Sequence, residues 1–263
     1  MIDIHSHILP GIDDGSKSWD MTLEMCRLAI KDGITHIVAT PHANDTYAYS
    51  RDRVREAIAH LSNKIGHQLG FSIGCDFHLS FENIEDAIAH PQRYTIAAKE
   101  YLLVELSEYG IPPQVSDGLS RLREARMIPI ITHPERNAIL QQRPERVLEW
   151  VDAGCLVQVT ASAVTGYWGS MARRMAMWLL DHGKVHVLAT DAHDDINRSP
   201  ILSQARDAVS KRFGPDVARA LVLDNPAAIV AGQPLPIPRG APSRDTETKP
   251  VKNDKNRPGP SAS

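Results

Sequence analysis

Close to the start of the chain His5-Ser6-His7 follows a short β-rich run, and Asp13-Asp14-Gly15 comes soon after. Residues two apart in extended chain point the same way, so His5 and His7 can approach one ion together. Alone, such a pair is equally the pattern of two surface histidines. The other strand ends decide between these readings. The second expected strand ends Ala39-Thr40-Pro41-His42, the third Gly74-Cys75-Asp76-Phe77-His78 and the fourth Val104-Glu105-Leu106. The fifth ends Thr132-His133-Pro134-Glu135-Arg136 and the seventh Ala189-Thr190-Asp191-Ala192-His193. Imidazole or carboxylate thus stands at six of seven expected strand C-termini. Mixed nitrogen and oxygen ligation suits Mn, Fe or Zn, whereas a Ca site is oxygen-rich and a structural Zn site is cysteine-rich. These donors are too many for one ion and indicate two or three. Asp76 and Glu105 interrupt otherwise apolar strands, where an unpaired carboxylate is costly, so ligation or pairing is expected of both. Asp13 reads as a turn residue. His78 shares a strand face with Asp76, while His36, His60, His67, His90, His182 and His186 show no ligand-like grouping and read as surface or structural residues.

Two arginines follow these motifs: Arg136 three residues after His133, and Arg198 seven after Asp191. A guanidinium is a planar fork that grips phosphate with two hydrogen bonds. Several chemistries are excluded by missing patterns. No cysteine has an arginine six positions later, which removes the loop of thiolate phosphatases. There is no G-x-x-x-x-G-K-[ST], no G-x-G-x-x-G and no G-x-S-x-G, so nucleotide cradling and a serine nucleophile lack support.

The elements that must position these residues alternate in type. Strands are expected at Ile2–Ile4, Ile34–Thr40, Phe71–Phe77, Tyr101–Leu106, Ile128–Thr132, Leu156–Thr160 and Val185–Thr190. Between them Trp19, Leu23, Cys26 and Ile30 recur at helical spacing, with Ser16 as the expected N-cap and Gly33 just past the end. Arg51–Leu69, Gln114–Arg126, Pro144–Ala153, Met171–His182 and Ser203–Phe213 read as helices too. Parallel strands need helical crossovers, so this alternation predicts an α/β fold with a parallel sheet. Seven strands without a glycine-rich switch point favour a closed or nearly closed TIM-like barrel, whose active site lies at the strand C-termini. One domain is expected over residues 1–232. Pro, Gly and charge dominate 233–263, which cannot bury enough apolar area to offset its ordering entropy and is expected to be a disordered tail. Hydrophobic residues make up 42% and the net charge is −3, which gives no electrostatic reason to expect nucleic acid or an anionic membrane as partner. The first residues have no basic and apolar leader, no run approaches a membrane span, and three scattered cysteines make no disulfide framework. A cytoplasmic location is expected.

Taken in order, Met1-Ile2-Asp3-Ile4-His5-Ser6-His7, Gly11-Ile12-Asp13-Asp14-Gly15, the stretch from Gly33 to His42, and His133-Pro134-Glu135-Arg136-Asn137 resemble the polymerase-and-histidinol-phosphatase (PHP) superfamily. Within it they are similar to the bacterial manganese-dependent protein-tyrosine phosphatases of capsular and exopolysaccharide synthesis. The resemblance runs from residue 1 to about 230. It implies a distorted (β/α)7 barrel with a trinuclear centre: His5, His7 and Asp191 on one ion, Glu105 and His133 on a second, Asp14, His42 and His193 on the third. Asp76 stands where such proteins carry a bridging glutamate, one methylene longer. Arg136 and Arg198 match the phosphate-binding arginines, and with Asp14 and His42 they are the catalytic candidates. The implied partner is an autophosphorylated, membrane-associated tyrosine kinase that works with polysaccharide chain-length regulators.

The expected reaction is hydrolysis of a phosphate monoester, phosphotyrosine on protein, by direct attack of water and without a phosphoenzyme. Two alternatives are a related enzyme acting on a small ester such as histidinol phosphate or on a nucleic-acid 3′ end, and a degenerate barrel that binds phosphotyrosine or a kinase without hydrolysis. The neutral charge and the lack of a basic aromatic stripe count against nucleic acid.

Overall fold

The structure is a computed structural model that describes residues 1–236. Strands and helices alternate along it as expected, and every strand pairing is parallel. The strands are β1 (Ile2–Ser6), β2 (His36–Ala39), β3 (His42–Ala43), β4 (Gly70–Ile73), β5 (Asp76–His78), β6 (Tyr101–Glu105), β7 (Ile128–Thr132), β8 (Leu156–Thr160) and β9 (Val187–Ala189). Two of the seven expected strands are therefore each broken in two. Pro41 has no N–H to continue the ladder after β2, and the second break falls at Gly74-Cys75, after β4. Pairing survives both breaks: Gly74 N–H donates to the Ala39 carbonyl at 2.9 Å and Asp76 N–H to that of Pro41 at 3.1 Å. β1, β2 and β4 form one sheet segment, and β3, β5, β6, β7, β8 and β9 the other.

The barrel closes where β9 meets β1. Asp191 N–H donates to the His5 carbonyl and His7 N–H to the Ala192 carbonyl, each at 2.8 Å. Below these, the Asp3 carboxylate accepts from Thr190 N–H at 3.0 Å, from His5 N–H at 3.3 Å and from the Thr190 hydroxyl. Asp3 is fully buried, and burial pushes its carboxyl up to about 6 against the pull of the Thr190 donors.

Two apolar clusters hold this frame. The larger lies between the strands and the surrounding helices and includes Ile37, Phe77, Val104, Ile131 and Val157. The smaller joins Ile4, Val38, Leu103, Ile130, Val187 and Ala189 with Ile96 and Ile229, the last from the helix Asn225–Ala231. Side chains alternate along a strand, so the residues two beyond this inner floor share its face. They are Glu105 after Leu103 and Asp191 after Ala189. The register irregularity in β1 between Asp3 and Ser6 re-aims the chain, which lets His5 follow Ile4 directly and still reach the mouth.

The helix Trp19–Asp32 is capped by Ser18, not Ser16. Ser18 Oγ accepts from Met21 N–H, while Ser16 is buried and its hydroxyl accepts from Thr22. That helix ends at Gly33 with φ 87°, a left-handed turn that glycine adopts without strain. Short helices at Phe81–Ala89 and Pro215–Arg219 were not legible from spacing. Residues 233–236, placed by the sequence reading in the tail, stay on the barrel: Tyr101 donates to the Gln233 carbonyl at 2.7 Å and Leu235 packs on the inner cluster. The rest of the expected tail lies outside the described residues. Among these, no helix is long and apolar enough to cross a membrane.

Replacing Asp3 with alanine leaves the buried His5 and Thr190 donors unpaired, at a cost of about 2–4 kcal/mol. Urea unfolding at pH 8 should show this loss, and an unchanged midpoint would remove Asp3 from the closure.

Candidate metal centre

The C-terminal mouth of the barrel gathers donors from six strands into a mutually overlapping set. His7, Asp14, His42 and His193 form one group, His5, His7 and Asp76 a second, and His42, Asp76 and Glu105 a third, with donor atoms within 4.8 Å of one another in each. Asp191 Oδ1 lies 3.4 Å from Nε2 of both His5 and His7. His133 Nε2 is 3.8 Å from Glu105 Oε1. All nine expected ligands are thus in one place. Their grouping overlaps more than the resemblance implied, because Glu105 sits nearer His42 Nδ1, at 3.4 Å, than His133. His78 belongs to none of the three groups.

Three of the imidazoles are held with one nitrogen turned outward and the other inward. His5 Nδ1 faces Gln158 Oε1 at 3.0 Å, His7 Nδ1 faces Asp13 Oδ2 at 2.6 Å, and His193 Nδ1 faces the Asp191 carbonyl at 3.0 Å. Each acceptor faces Nδ1 and so turns Nε2 into the mouth, which is how metal-bound histidines are oriented. Asp13 is therefore more than the turn residue its sequence context implied. Besides His7 it accepts from Gly15 N–H at 3.0 Å and from His42 N–H at 3.0 Å, tying the loop after β1 to β3. A side chain at Gly15 would place its Cβ 2.1 Å from the His7 carbonyl oxygen, so this loop closes only around glycine.

The electrostatics of the metal-free centre favour extra protons on it. Burial would lower the His7 imidazole, yet Asp13 overrides it and the group is raised to about 9, so a bound cation would displace its Nε2 proton. Burial opposes the charge on Asp76 and Asp191 as well, yet the facing imidazoles, with Arg198 and Arg136 at Asp191, hold both carboxyls well below their ordinary range. For His133 burial and the neighbouring Arg136 act together, keeping it neutral. Both carboxylate oxygens of Asp76 are fully buried, and neither accepts a hydrogen bond. The buried Nδ1 of His42 is unpartnered too. An anion left this way is costly unless a cation binds it, so the donor set fits divalent metal ions of the kind that take mixed histidine and carboxylate ligands. Asp76 Oδ2 lies 3.5 Å from His5 Nε2 and 3.2 Å from His42 Nδ1, so the shorter carboxylate stands between two groups.

Arg136 and Arg198 converge on this cluster and both donate to Asp191 Oδ2. The Arg136 guanidinium lies 3.8 Å over the Trp168 ring and that of Arg198 5.3 Å from it, while the indole N–H is fixed by the Ser162 hydroxyl at 2.9 Å. His133 and Asp191, with φ of 32° and 52°, are non-glycine residues in the left-handed region, a strain of about 1–3 kcal/mol each that recurs at functional sites. β8 supplies no ligand, as its sequence suggests; its part is Gln158. A lone amide in the apolar run Leu156–Thr160 was a signal for that residue. Nothing in the spacing pointed to Trp168, to Asp3, or to Glu135, whose buried carboxyl accepts from Thr160 N–H and is pushed by burial up to about 7. The three cysteines are buried and unpaired, with burial raising the thiols of Cys26 and Cys155 to about 12 and about 11. None is a thiolate nucleophile.

A parallel barrel with a histidine–carboxylate centre at its C-terminal mouth defines a TIM-like metallohydrolase architecture. The chain belongs to the CpsB/CapC family of capsular polysaccharide synthesis, whose model matches residues 1–231. It is 33% identical over 210 residues to CapC of Staphylococcus aureus, covering 78% of this chain and 81% of that protein. With the tyrosine-protein phosphatase CpsB of Streptococcus pneumoniae it shares 28% identity over 242 residues, 89% of this chain and 99% of the relative. Crystal structures of YwqE from Bacillus subtilis and CpsB from S. pneumoniae, described as unique metal-dependent tyrosine phosphatases, match with a TM-score of 0.82 at 29% identity, over 92% of this chain and 98% of the other. A β-aspartyl dipeptidase from Fervidobacterium islandicum, at 15% identity and a TM-score of 0.53, shares the fold alone.

Asp13→Asn and Gly15→Ala should each weaken divalent-metal binding, probed with Mn²⁺, roughly 10–100-fold, the usual effect of losing an orienting partner. Calorimetric titration of the metal-free protein measures this, and wild-type affinity in both variants would show that the Asp13 loop does not orient His7.

Proposed function

We propose that this chain is a metal-dependent protein-tyrosine phosphatase of capsular or exopolysaccharide synthesis. The observation that carries the reading is the fully buried Asp76 carboxylate, which accepts no hydrogen bond and faces the His5 and His42 imidazoles inside overlapping histidine and carboxylate groups, with two phosphate-gripping arginines beside them. Membership in the CpsB/CapC family and the names of its relatives support the substrate. His5, His7, Asp14, His42, Asp76, Glu105, His133, Asp191 and His193 would hold two or three ions, with Mn²⁺ the assignment and Fe or Zn compatible with the same donors. Bound divalent cations supply Lewis-acid neutralisation of phosphoryl charge and make a nearby water acidic enough to attack at neutral pH.

The chain's own groups then have defined tasks. Arg136 and Arg198 bind the equatorial phosphoryl oxygens and neutralise the charge that grows on them during transfer. Asp191 and Trp168 hold those guanidinium planes in place. The acceptors Gln158 and Asp13 and the Asp191 carbonyl keep three Nε2 lone pairs aimed at the centre. The phosphoryl group passes to water and the phenolate leaves; the three buried cysteines offer no thiolate for a covalent intermediate. The physiological substrate is an autophosphorylated tyrosine kinase at the membrane.

Phosphate release from a phosphotyrosyl peptide should vanish on chelation and return with Mn²⁺. His133→Ala and Arg136→Ala should each lower kcat/KM by roughly 10²–10³-fold, the magnitude seen when a single charge-stabilising group is removed. Asp76→Glu should bring no gain, because aspartate already stands between two groups and glutamate overfills a fully buried position. Tight peptide binding without turnover under any metal would mean that the barrel is a binding module.

A further inference from the structure

The large apolar side chains most exposed among the described residues are Phe81, Tyr109, Tyr167, Met171 and Ile196, at 68%, 99%, 55%, 43% and 80%. Phe81 follows β5, Tyr109 follows β6, Tyr167 and Met171 follow β8, and Ile196 follows β9. All five stand on the segments leaving strand C-termini, the same end of the barrel as the metal centre. The opposite end carries none of them. Apolar groups gathered on one face mark a surface that meets a partner.

The segment after β8 ties this surface to the arginine pair. Tyr167 stands edge-on to Trp168 with ring centroids 5.5 Å apart, and the Trp168 ring also meets the two guanidinium groups. One turn further, Met171 sulfur receives Arg174 Nη2 at 2.7 Å. Arg173 and Arg174 are exposed, and neither forms an ion pair among the described residues. An apolar step with two uncompensated cations beyond it therefore leads outward from the phosphate-binding arginines.

We propose that Tyr167, Met171, Arg173 and Arg174 form a docking surface for the polypeptide that flanks the phosphotyrosine, selecting an apolar residue beside it and an acidic residue beyond. The inference rests on the phosphatase reading and deepens it. A phosphate held by Arg136 and Arg198 brings its own chain across Trp168 and onto Tyr167 and Met171. The apolar neighbour covers those two side chains, and the acidic neighbour meets Arg173 and Arg174. A free phosphate ester has nothing to place there.

The test uses the full chain with Mn²⁺ and two fluorescein-labelled phosphotyrosyl peptides, one flanked by Leu and Glu and one by Gly and Lys. Binding is read by fluorescence anisotropy, and phenyl phosphate turnover reports the centre separately. The Leu/Glu peptide should bind roughly five- to tenfold tighter, the sum of one apolar contact and one screened ion pair. Arg174→Glu and Tyr167→Ala should each shrink that preference at least twofold, and kcat/KM for phenyl phosphate should change less than twofold in both. Equal affinity for the two peptides, or a matching loss on phenyl phosphate, would overturn the proposal. A protein that ranks the peptides as expected but hydrolyses neither them nor phenyl phosphate would refute the phosphatase reading and leave the surface standing.

Discussion

Asp191 is the residue on which the rest converges. Its backbone N–H closes the barrel onto β1, its Oδ1 faces His5 and His7, its Oδ2 draws in both arginines, and its carbonyl orients His193. A fully buried carboxylate can keep its charge only if positive or polar groups surround it, so the same side chain that shapes the site must recruit the groups that serve it. Fold closure and chemistry are therefore one constraint here. The strained backbone at Asp191 is held because these contacts over-determine it.

The inner floor explains how a rigid centre is built from nine side chains on many loops. Leu103 and Ala189 are packed in a dry cluster, and Glu105 and Asp191 stand two residues beyond them on the same strands. Packing of the floor sets the height and direction of those carboxylates before any ligand arrives. The kinks after β2 and β4 add what a straight strand could not: they carry His42 and Asp76 inward to face each other at 3.2 Å.

Much of this was legible in the chain alone, because strand-end position is a one-dimensional signal. His5, His42, Glu105, His133 and Asp191 each interrupt or terminate an apolar run, and the strand–helix alternation implies a barrel that would bring such ends together. Orientation was not legible. Gln158 and Asp13 act by turning an imidazole over, which depends on which residues meet across the barrel, 153 positions apart for His5 and Gln158. Trp168 acts through stacking on two arginines from other loops and has no spacing of its own. The breaks at Pro41 and Gly74-Cys75 were hidden for a related reason, since pairing across them persists and the apolar pattern runs through.

The closure between Asp3 and Thr190 joins residues 187 positions apart. Such a contact has a consequence for biosynthesis. Until the last strand leaves the ribosome, β1 has an unpaired edge and the first two histidines lack Asp191, the carboxylate they share. Half-made chains therefore cannot assemble the complete centre, and the early strand must be kept from pairing elsewhere while it waits. Long-range pairing of this kind also slows folding, since loop-closure entropy is lost before the contact repays it.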